Sequence, residues 1–279
     1  VTVLITGASA GIGEACARAF AARGDNLVLA ARRLDRLEAL AAELAGTHGV
    51  LVTTVYLDAQ DRTSAESLLT RAGNPEIDVL INNAGLARGL EPLQNNEAND
   101  WDEMIDTNVK GLLWVTQPVV RQMIARIEAH PGTRTHIVNL GSLAGVQAYP
   151  NGAVYCATKA AVKSISDGLR QDVNSYPIRV TLIQPGMVET EFSQVRFRGD
   201  EARAQSVYRG IEPLTAADIA DLTVYAVAAP PRVQITELTV TATHQANAFT
   251  VYRHSGVTRG VEDPPGDLAS LQGSDSPGR

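Results

Sequence analysis

Two hydrophobic rhythms alternate along the chain. Short runs rich in Val, Ile, Leu and Thr, namely VTVLIT (1–6), NLVLAA (26–31), LVTTVYL (51–57), IDVLIN (77–82), HIVNLG (136–141), RVTLIQ (179–184) and ITELTV (235–240), read as buried strands. Between most of them lie Ala/Leu/Glu/Arg segments with helical spacing, such as LDRLEALAAEL (34–44) and AADIADLTVYAV (216–227). Apolar strands that alternate with helices need cover on both faces, which predicts a parallel sheet between helical layers. No linker interrupts the pattern, so residues 1–254 are expected to form one domain. Residues 255–279, with GVEDPPGD and GSDSPGR, are rich in Gly, Pro, Ser and Asp. They offer little to bury and predict a mobile tail, or one that leans on a neighbouring subunit.

Composition narrows the classes. A chain of 279 residues, 44 % apolar, has material for a sizeable core. A net charge of -7 argues against a nucleic-acid surface or an anionic membrane as partner. No uninterrupted apolar run approaches the ~20 residues of a membrane span. The first residues are already a strand and a glycine turn, so no signal peptide is expected. Cys16 and Cys156 fall in predicted helices and suggest no disulfide framework, which suits a reducing cytoplasm. Of 24 basic residues, 21 are Arg and 3 are Lys, so a single Arg says little and a Lys says more.

The first candidate chemistry is T-G-A-S-A-G-I-G, Thr6 to Gly13, directly after the first strand and at the start of a helix. Glycines allow a tight turn and a close backbone approach, and a helix N-terminus favours an anion, so a pyrophosphate is the natural guest. The second strand ends in L-A-A-R-R, with no acid to accept from a ribose 2′-hydroxyl. Arg32 and Arg33 suit the 2′-phosphate of NADP instead. The second is Y-C-A-T-K within NGAVYCATKAAVKSISDGLRQDV (151–173), which reads as one amphipathic helix. Residues four apart share a helix face, so Tyr155 and Lys159 point into one space. A neighbouring cation favours the ionised phenol, which would make the pair a useful acid/base. The five histidines (48, 130, 136, 244, 254) lack paired ligand spacing, so no metal site is expected. Ser142 lacks a nucleophile-elbow motif, which argues against a hydrolase. Cys156, Trp101, Met104 and Ile105 are expected to be packing residues.

With TGASAGIG, NNAG (82–85), Asn108, Ser142 and Y-x-x-x-K in this order, the sequence resembles the short-chain dehydrogenase/reductase family from Val1 to about Arg253. The resemblance implies a single-domain, doubly wound Rossmann fold: a seven-stranded parallel sheet in the order 3-2-1-4-5-6-7 with helices on both faces. It also implies a homotetramer and a tetrad of Asn108, Ser142, Tyr155 and Lys159. Ser142, at the C-terminal end of strand five where such sheets bind ligands, would hydrogen-bond the substrate oxygen. Tyr155 would exchange the proton, and Lys159 would lower the tyrosine pKa and hold the ribose. Asn108 would keep a proton-relaying water. Cofactor contacts are implied at Gly7, Ser9, Gly11, Ile12 and Gly13, at Asp58 and Ala59 for the adenine, and at Asn83, Ala84 and Gly85. Pro185, Gly186, Val188 and Thr190, in P-G-M-V-E-T, resemble the loop that grips the nicotinamide carboxamide.

NNAGLARGLEP, WDEMIDTNVKGLLWVT and EFSQVRFRGD (191–200) are similar to NADP-dependent 3-hydroxy acid dehydrogenases, which oxidise serine or allo-threonine and reduce malonic semialdehyde. Sulfoacetaldehyde reductases look similar in the same places. Both substrate classes carry a small anionic head. Arg196 and Arg198 are candidates to bind it, each weighed against an ordinary surface arginine, with Arg196 taken as the substrate residue and Arg198 as its control. Tyr149 either lines the pocket or packs at its rim. The expectation is a cytoplasmic NADP-dependent oxidoreductase for a small 3-hydroxy acid or its oxo form. Its alternatives are a sulfoacetaldehyde, other aldehyde or ketone reductase, and a silent NADP-sensing binding protein, which the intact Tyr155 and Lys159 disfavour.

Overall fold

Strand β1 (Thr2–Thr6) sends Val3 and Ile5 to one face of a sheet and Leu4 to the other, and all three are fully buried. That alternation is the period-two geometry of a strand covered on both sides. The structure, a computed structural model, describes residues 1–254, and the expected tail at 255–279 lies outside the described residues. After β1 come β2 (Asn26–Ala31), β3 (Val52–Tyr56), β4 (Val79–Asn82), β5 (Thr135–Leu140), β6 (Ile178–Pro185) and β7 (Glu237–Val240). They form one seven-stranded sheet in the order β3-β2-β1-β4-β5-β6-β7, parallel throughout. The expected fold is the observed one.

The helices are α1 (Gly11–Ala22), α2 (Leu34–His48), α3 (Arg62–Glu66), α4 (Leu68–Arg71), α5 (Ala98–Ile105), α6 (Leu112–Ala129), α7 (Ala153–Asp172), α8 (Phe192–Arg196), α9 (Glu201–Ser206) and α10 (Ala216–Ala228). On one face Cys16, Ala17 and Phe20 of α1, Leu37, Leu40 and Leu44 of α2, and Ile219 of α10 bury the sheet. Leu68 and Leu69 of α4 and Val115, Val119 and Met123 of α6 cover the other face, while Val162 of α7 packs on Leu182 of β6. Each fully buried Leu, Ile or Phe contributes about 1.5–3 kcal/mol, so both layers are strongly fixed.

Three expectations change. The edge strands β3 and β7 are not buried throughout, because each has a neighbouring strand on one side only; β7 alternates between exposed and half-buried residues. Helix α2 continues past residue 44 to His48 and stops where Gly49 turns left-handed at φ 67°, a conformation that favours glycine. Ile105 is exposed, while Trp101 and Met104 pack inward as expected.

Candidate active site

The site forms where strands β1, β4, β5 and β6 end. Between α5 and α6 the rod passes through a π-helical turn, Asp106–Gly111, the kind of local widening found often at functional positions. This turn carries Asn108, which is buried and pinned in both directions to Leu86: Oδ1 accepts from its N–H and Nδ2 donates to its carbonyl, each at 2.8 Å. Nδ2 also donates to Thr158 Oγ1 at 3.0 Å, which ties the turn to α7. Beneath it, Asn82 Nδ2 donates to Asn139 Oδ1 at 2.9 Å and Asn139 Nδ2 to Ser166 Oγ at 2.8 Å, joining β4, β5 and α7.

Helix α7 presents Tyr155 and Lys159 one turn apart, both buried. Lys159 Nζ donates to the Leu140 carbonyl at 2.9 Å, and burial alone pushes its pKa down to about 8. A methyl-sized group on Gly85 would lie 3.2 Å from Asn108 Oδ1 and 3.4 Å from Lys159 Nζ, so the NNAG backbone, Asn108 and Lys159 share one small space. The Tyr155 phenol is pushed well above its ordinary range, first by burial and then by Tyr149. A hydrogen bond to Ser142 and the charge of Arg196 pull it back. The expected lowering by Lys159 does not appear: Ser142 and Arg196 take that role. Ser142 caps the short helical turn Leu143–Gly145, its Oγ accepting from Ala144 N–H at 3.1 Å.

Above the phenol lies Arg196, whose guanidinium carbon is 5.9 Å from the Tyr155 ring centre and 5.6 Å from that of Tyr149. Its Nε donates to the Gly89 carbonyl at 2.6 Å and Nη1 to the Tyr149 hydroxyl at 3.0 Å. It makes no ion pair with a described residue. Arg198 faces elsewhere: it pairs with Asp100 and is exposed. Phe192 closes on Tyr155, with ring centres 5.7 Å apart, and Cys156 packs in the same apolar cluster. Lys163 pairs with Glu237 of β7 at 2.6 Å and so ties α7 to the sheet.

The residues expected to contact a cofactor stand at the ends of β1, β2, β3, β4 and β6 or in the segments that follow them. Gly7 has φ +67°, and a Cβ there would come 2.8 Å from Asn83 Nδ2, so the turn admits only glycine. Asn83 Nδ2 donates to the Thr6 carbonyl at 2.9 Å, holding the NNAG segment against the glycine turn. Asp58 and Ala59 follow β3, with Ala59 buried under Gly111 of the π-helical turn. In the P-G-M-V-E-T loop, three backbone N–H groups are spent on neighbouring segments. Gly186 N–H donates to Val240 O at 2.7 Å, Met187 N–H to Gln245 Oε1 at 2.8 Å and Glu189 N–H to Leu214 O at 2.8 Å. The Val188 N–H has no partner among the described residues, and a free donor there fits a carboxamide oxygen. Arg33 donates to Ser9 Oγ at 3.1 Å, whereas Arg32 is exposed and unpaired among the described residues. Arg36, Glu191 and Gln245 escaped the sequence reading. No local signal marks any of them, because their partners lie far away in the chain. An open concavity lined by Asp167, Arg170 and Asn174, at the C-terminal end of α7, carries none of these groups.

A doubly wound sheet with a glycine turn after β1 and a Ser-Tyr-Lys-Asn constellation at the strand ends defines a class, and a short chain dehydrogenase family profile matches residues 1–201. The chain belongs to the short chain dehydrogenase family and is an oxidoreductase. It is 43 % identical over 256 residues to sulfoacetaldehyde reductase 2 of Chromohalobacter salexigens, covering 90 % of this chain and 98 % of that protein. It is 44 % identical over 236 residues to the NADP-dependent 3-hydroxy acid dehydrogenase YdfG of Salmonella typhi, covering 84 % and 91 %. Among solved structures, the closed form of a serine dehydrogenase complexed with NADP+ superposes with a TM-score of 0.82 at 39 % identity, covering 91 % of this chain and 100 % of that one. Among the described residues no helix is long and apolar enough to cross a membrane.

Proposed function

We propose that the chain interconverts a small 3-hydroxy acid, of the serine, allo-threonine or 3-hydroxypropionate type, and its oxo form by NADP-dependent hydride transfer. The observation that carries the substrate class is Arg196, a guanidinium over the Tyr155 ring with no carboxylate partner. Its Nη2 has no partner among the described residues, which leaves a donor free to take a substrate carboxylate. Bound NADP would supply the hydride acceptor for oxidation of the hydroxyl-bearing carbon, or the hydride donor for the reverse. Gly7, Ser9, Gly11, Ile12 and Gly13 would carry its pyrophosphate, Asp58 and Ala59 its adenine, and Asn83, Ala84 and Gly85 its flank. Val188 N–H, with Pro185, Gly186 and Thr190, would hold the carboxamide, and Arg32 and Arg33 the 2′-phosphate.

The chain's own chemistry is proton transfer and positioning. Ser142 orients the substrate oxygen toward Tyr155. In oxidation the Tyr155 oxygen takes the hydroxyl proton as hydride leaves carbon; in reduction the neutral phenol gives that proton back. Lys159 carries a buried cation beside Gly85, where it would hold ribose hydroxyls, while Ser142 and Arg196 favour the tyrosinate. Asn108 fixes the π-helical turn against α7, on the path for a relaying water.

A second reading, sulfoacetaldehyde reduction, is favoured by the relative of that name, since the same guanidinium accepts a sulfonate. Turnover of L-serine, L-allo-threonine, 3-hydroxypropionate and isethionate, each with NADP+ and NAD+, tests both. The carboxylates should win with NADP+; a clear preference for isethionate establishes the second reading. Equal rates with a neutral alcohol of the same size sink the anionic class, and binding of NADPH without turnover of any aldehyde indicates a silent binder. We also assign the catalytic unit to residues 1–254 with an appended tail, in a cytoplasmic homotetramer. Exposed Ile105 and Leu113 on the α5–α6 rod support association, and two unpaired buried cysteines suit a reducing compartment. Sedimentation at a mass other than four chains overturns the tetramer.

A further inference from the structure

Glu191 stands in the segment after β6, yet it reaches the end of β2, and three strands lie between those two in the sheet. Its Oε2 accepts from Arg33 Nη1 at 2.8 Å and its Oε1 from Arg36 Nη1 at 2.6 Å. Arg33 is held from the other side by Ser9 in the glycine turn. The preceding residue, Thr190, leans on the same turn: a methyl-sized group on Gly11 would come 3.2 Å from the Thr190 methyl carbon. The carboxylate therefore closes the crevice at the place where a dinucleotide's adenosine ribose lies, beside the arginines left for a 2′-substituent. Arg36 first, and then Arg33, hold the Glu191 carboxyl below its usual range, which favours the carboxylate.

We propose that Glu191 is a specificity-determining residue, an internal carboxylate that competes with the cofactor's 2′-phosphate for Arg33 and Arg36 and so tempers the preference for NADP over NAD. This rests on the reading of the cofactor as NADP. A guanidinium that gives one edge to a carboxylate has fewer donors for a phosphate, and the carboxylate charge opposes the arriving dianion. NAD brings a neutral hydroxyl to the same spot and meets almost none of this opposition. With the carboxylate removed, three arginines would face the 2′-phosphate, and oxidised and reduced NADP would both leave slowly.

The test is equilibrium binding of NADP+ and NAD+ to the wild-type protein, Glu191→Gln and Glu38→Gln. Glu38 is exposed on α2, two residues from Arg36, and makes no ion pair with a described residue, so it controls for charge alone. The pairs are partly exposed, so the competition is modest: the Kd for NADP+ should fall about fivefold in Glu191→Gln. The Kd for NAD+ should stay within about twofold, and Glu38→Gln should move neither. An NADP+ affinity that is unchanged or weaker overturns the proposal. So does a parallel change for both cofactors, which would make Glu191 a structural strap. If the wild-type protein binds the two cofactors equally, the NADP reading falls, yet a gain confined to NADP+ in Glu191→Gln still upholds the competition.

Discussion

Arg196 and Tyr149 meet across 47 residues of chain: Nη1 donates to the phenolic oxygen at 3.0 Å while the guanidinium carbon sits 5.6 Å from the ring centre. With Nε on the Gly89 carbonyl, the fork is fixed before any substrate arrives. A fixed fork loses little entropy on binding an anion, so its removal should show mainly in substrate affinity. Arg196→Met is expected to raise KM for 3-hydroxy acids by about 10-fold or more, from the loss of a charge-assisted contact. Neutral alcohols of similar size should be spared, and kcat should barely change if ground and transition states share the contact. Steady-state kinetics on an acid and alcohol pair checks this. Equal losses on both would mean that the Gly89 contact, not the anion, is what matters.

Tyr155→Phe keeps the ring that packs on Phe192 and removes only the proton-transferring oxygen. Turnover should drop about 10²–10⁴-fold, the usual worth of a general acid–base group. NADP+ binding should persist, as measured by titration. A folded variant with near-normal turnover would end the case for Tyr155 as acid/base.

Lys159 carries a stability cost. Its folded pKa of about 8 lies below the ordinary lysine value of 10.5, so between those values the unfolded chain holds more protons than the folded one. Stability should therefore rise with pH across about 8 to 10.5, and the full cost applies below that window. At pH 7, Lys159→Met should stabilise the cofactor-free protein by about 2 kcal/mol, desolvation relieved less the lost hydrogen bond to Leu140. Activity should be lost at the same time. Thermal melts at pH 7 and pH 10 provide the check, because the advantage of Met must shrink at the higher pH. A destabilised variant at pH 7 would show that the Leu140 bond outweighs the buried charge.

What was legible in the sequence was whatever repeats locally. The near-continuous apolar runs VTVLIT and NLVLAA reported a sheet covered on both faces, and Tyr155 and Lys159 share a helix face simply because they are four apart. The edge character of β3 and β7 was hidden, since a strand's own residues do not say whether it has two neighbours. The π-helical turn around Asn108 was hidden too: its extra residue sits inside a continuous helical rod, and the apolar rhythm runs through it. Arg36 looked like any surface arginine. Its meaning comes from Glu191, 155 residues later, which only the fold brings near. Arg196 was the favoured candidate, though no local signal separated it from Arg198; the short helix α8 and the left-handed Arg198, at φ 52°, point one over Tyr155 and the other to Asp100.

Gln245 is buried in the segment after β7, and its Oε1 takes the Met187 N–H at 2.8 Å. The rest of that loop is held by Val240, Leu214 and the Tyr208 hydroxyl, which donates to the Val188 carbonyl at 2.9 Å. Gln245 therefore completes the contacts that hold the loop, between Gly186 and Glu189, around the Val188 N–H, which has no partner among the described residues. Gln245→Met keeps the volume and removes the acceptor, so Met187 N–H loses its partner at a cost of about 1–3 kcal/mol. For a chain of this size that lowers Tm by roughly 2–4 °C per kcal/mol. The loop should also shift, raising KM for NADPH several-fold while leaving the pH dependence of kcat in place, since Tyr155 and Lys159 are untouched. Gln245→Glu restores an acceptor at the same reach and should recover most of the NADPH affinity. If Gln245→Met lowers Tm but leaves KM for NADPH at the wild-type value, Gln245 is a packing residue and the loop holds its shape without it.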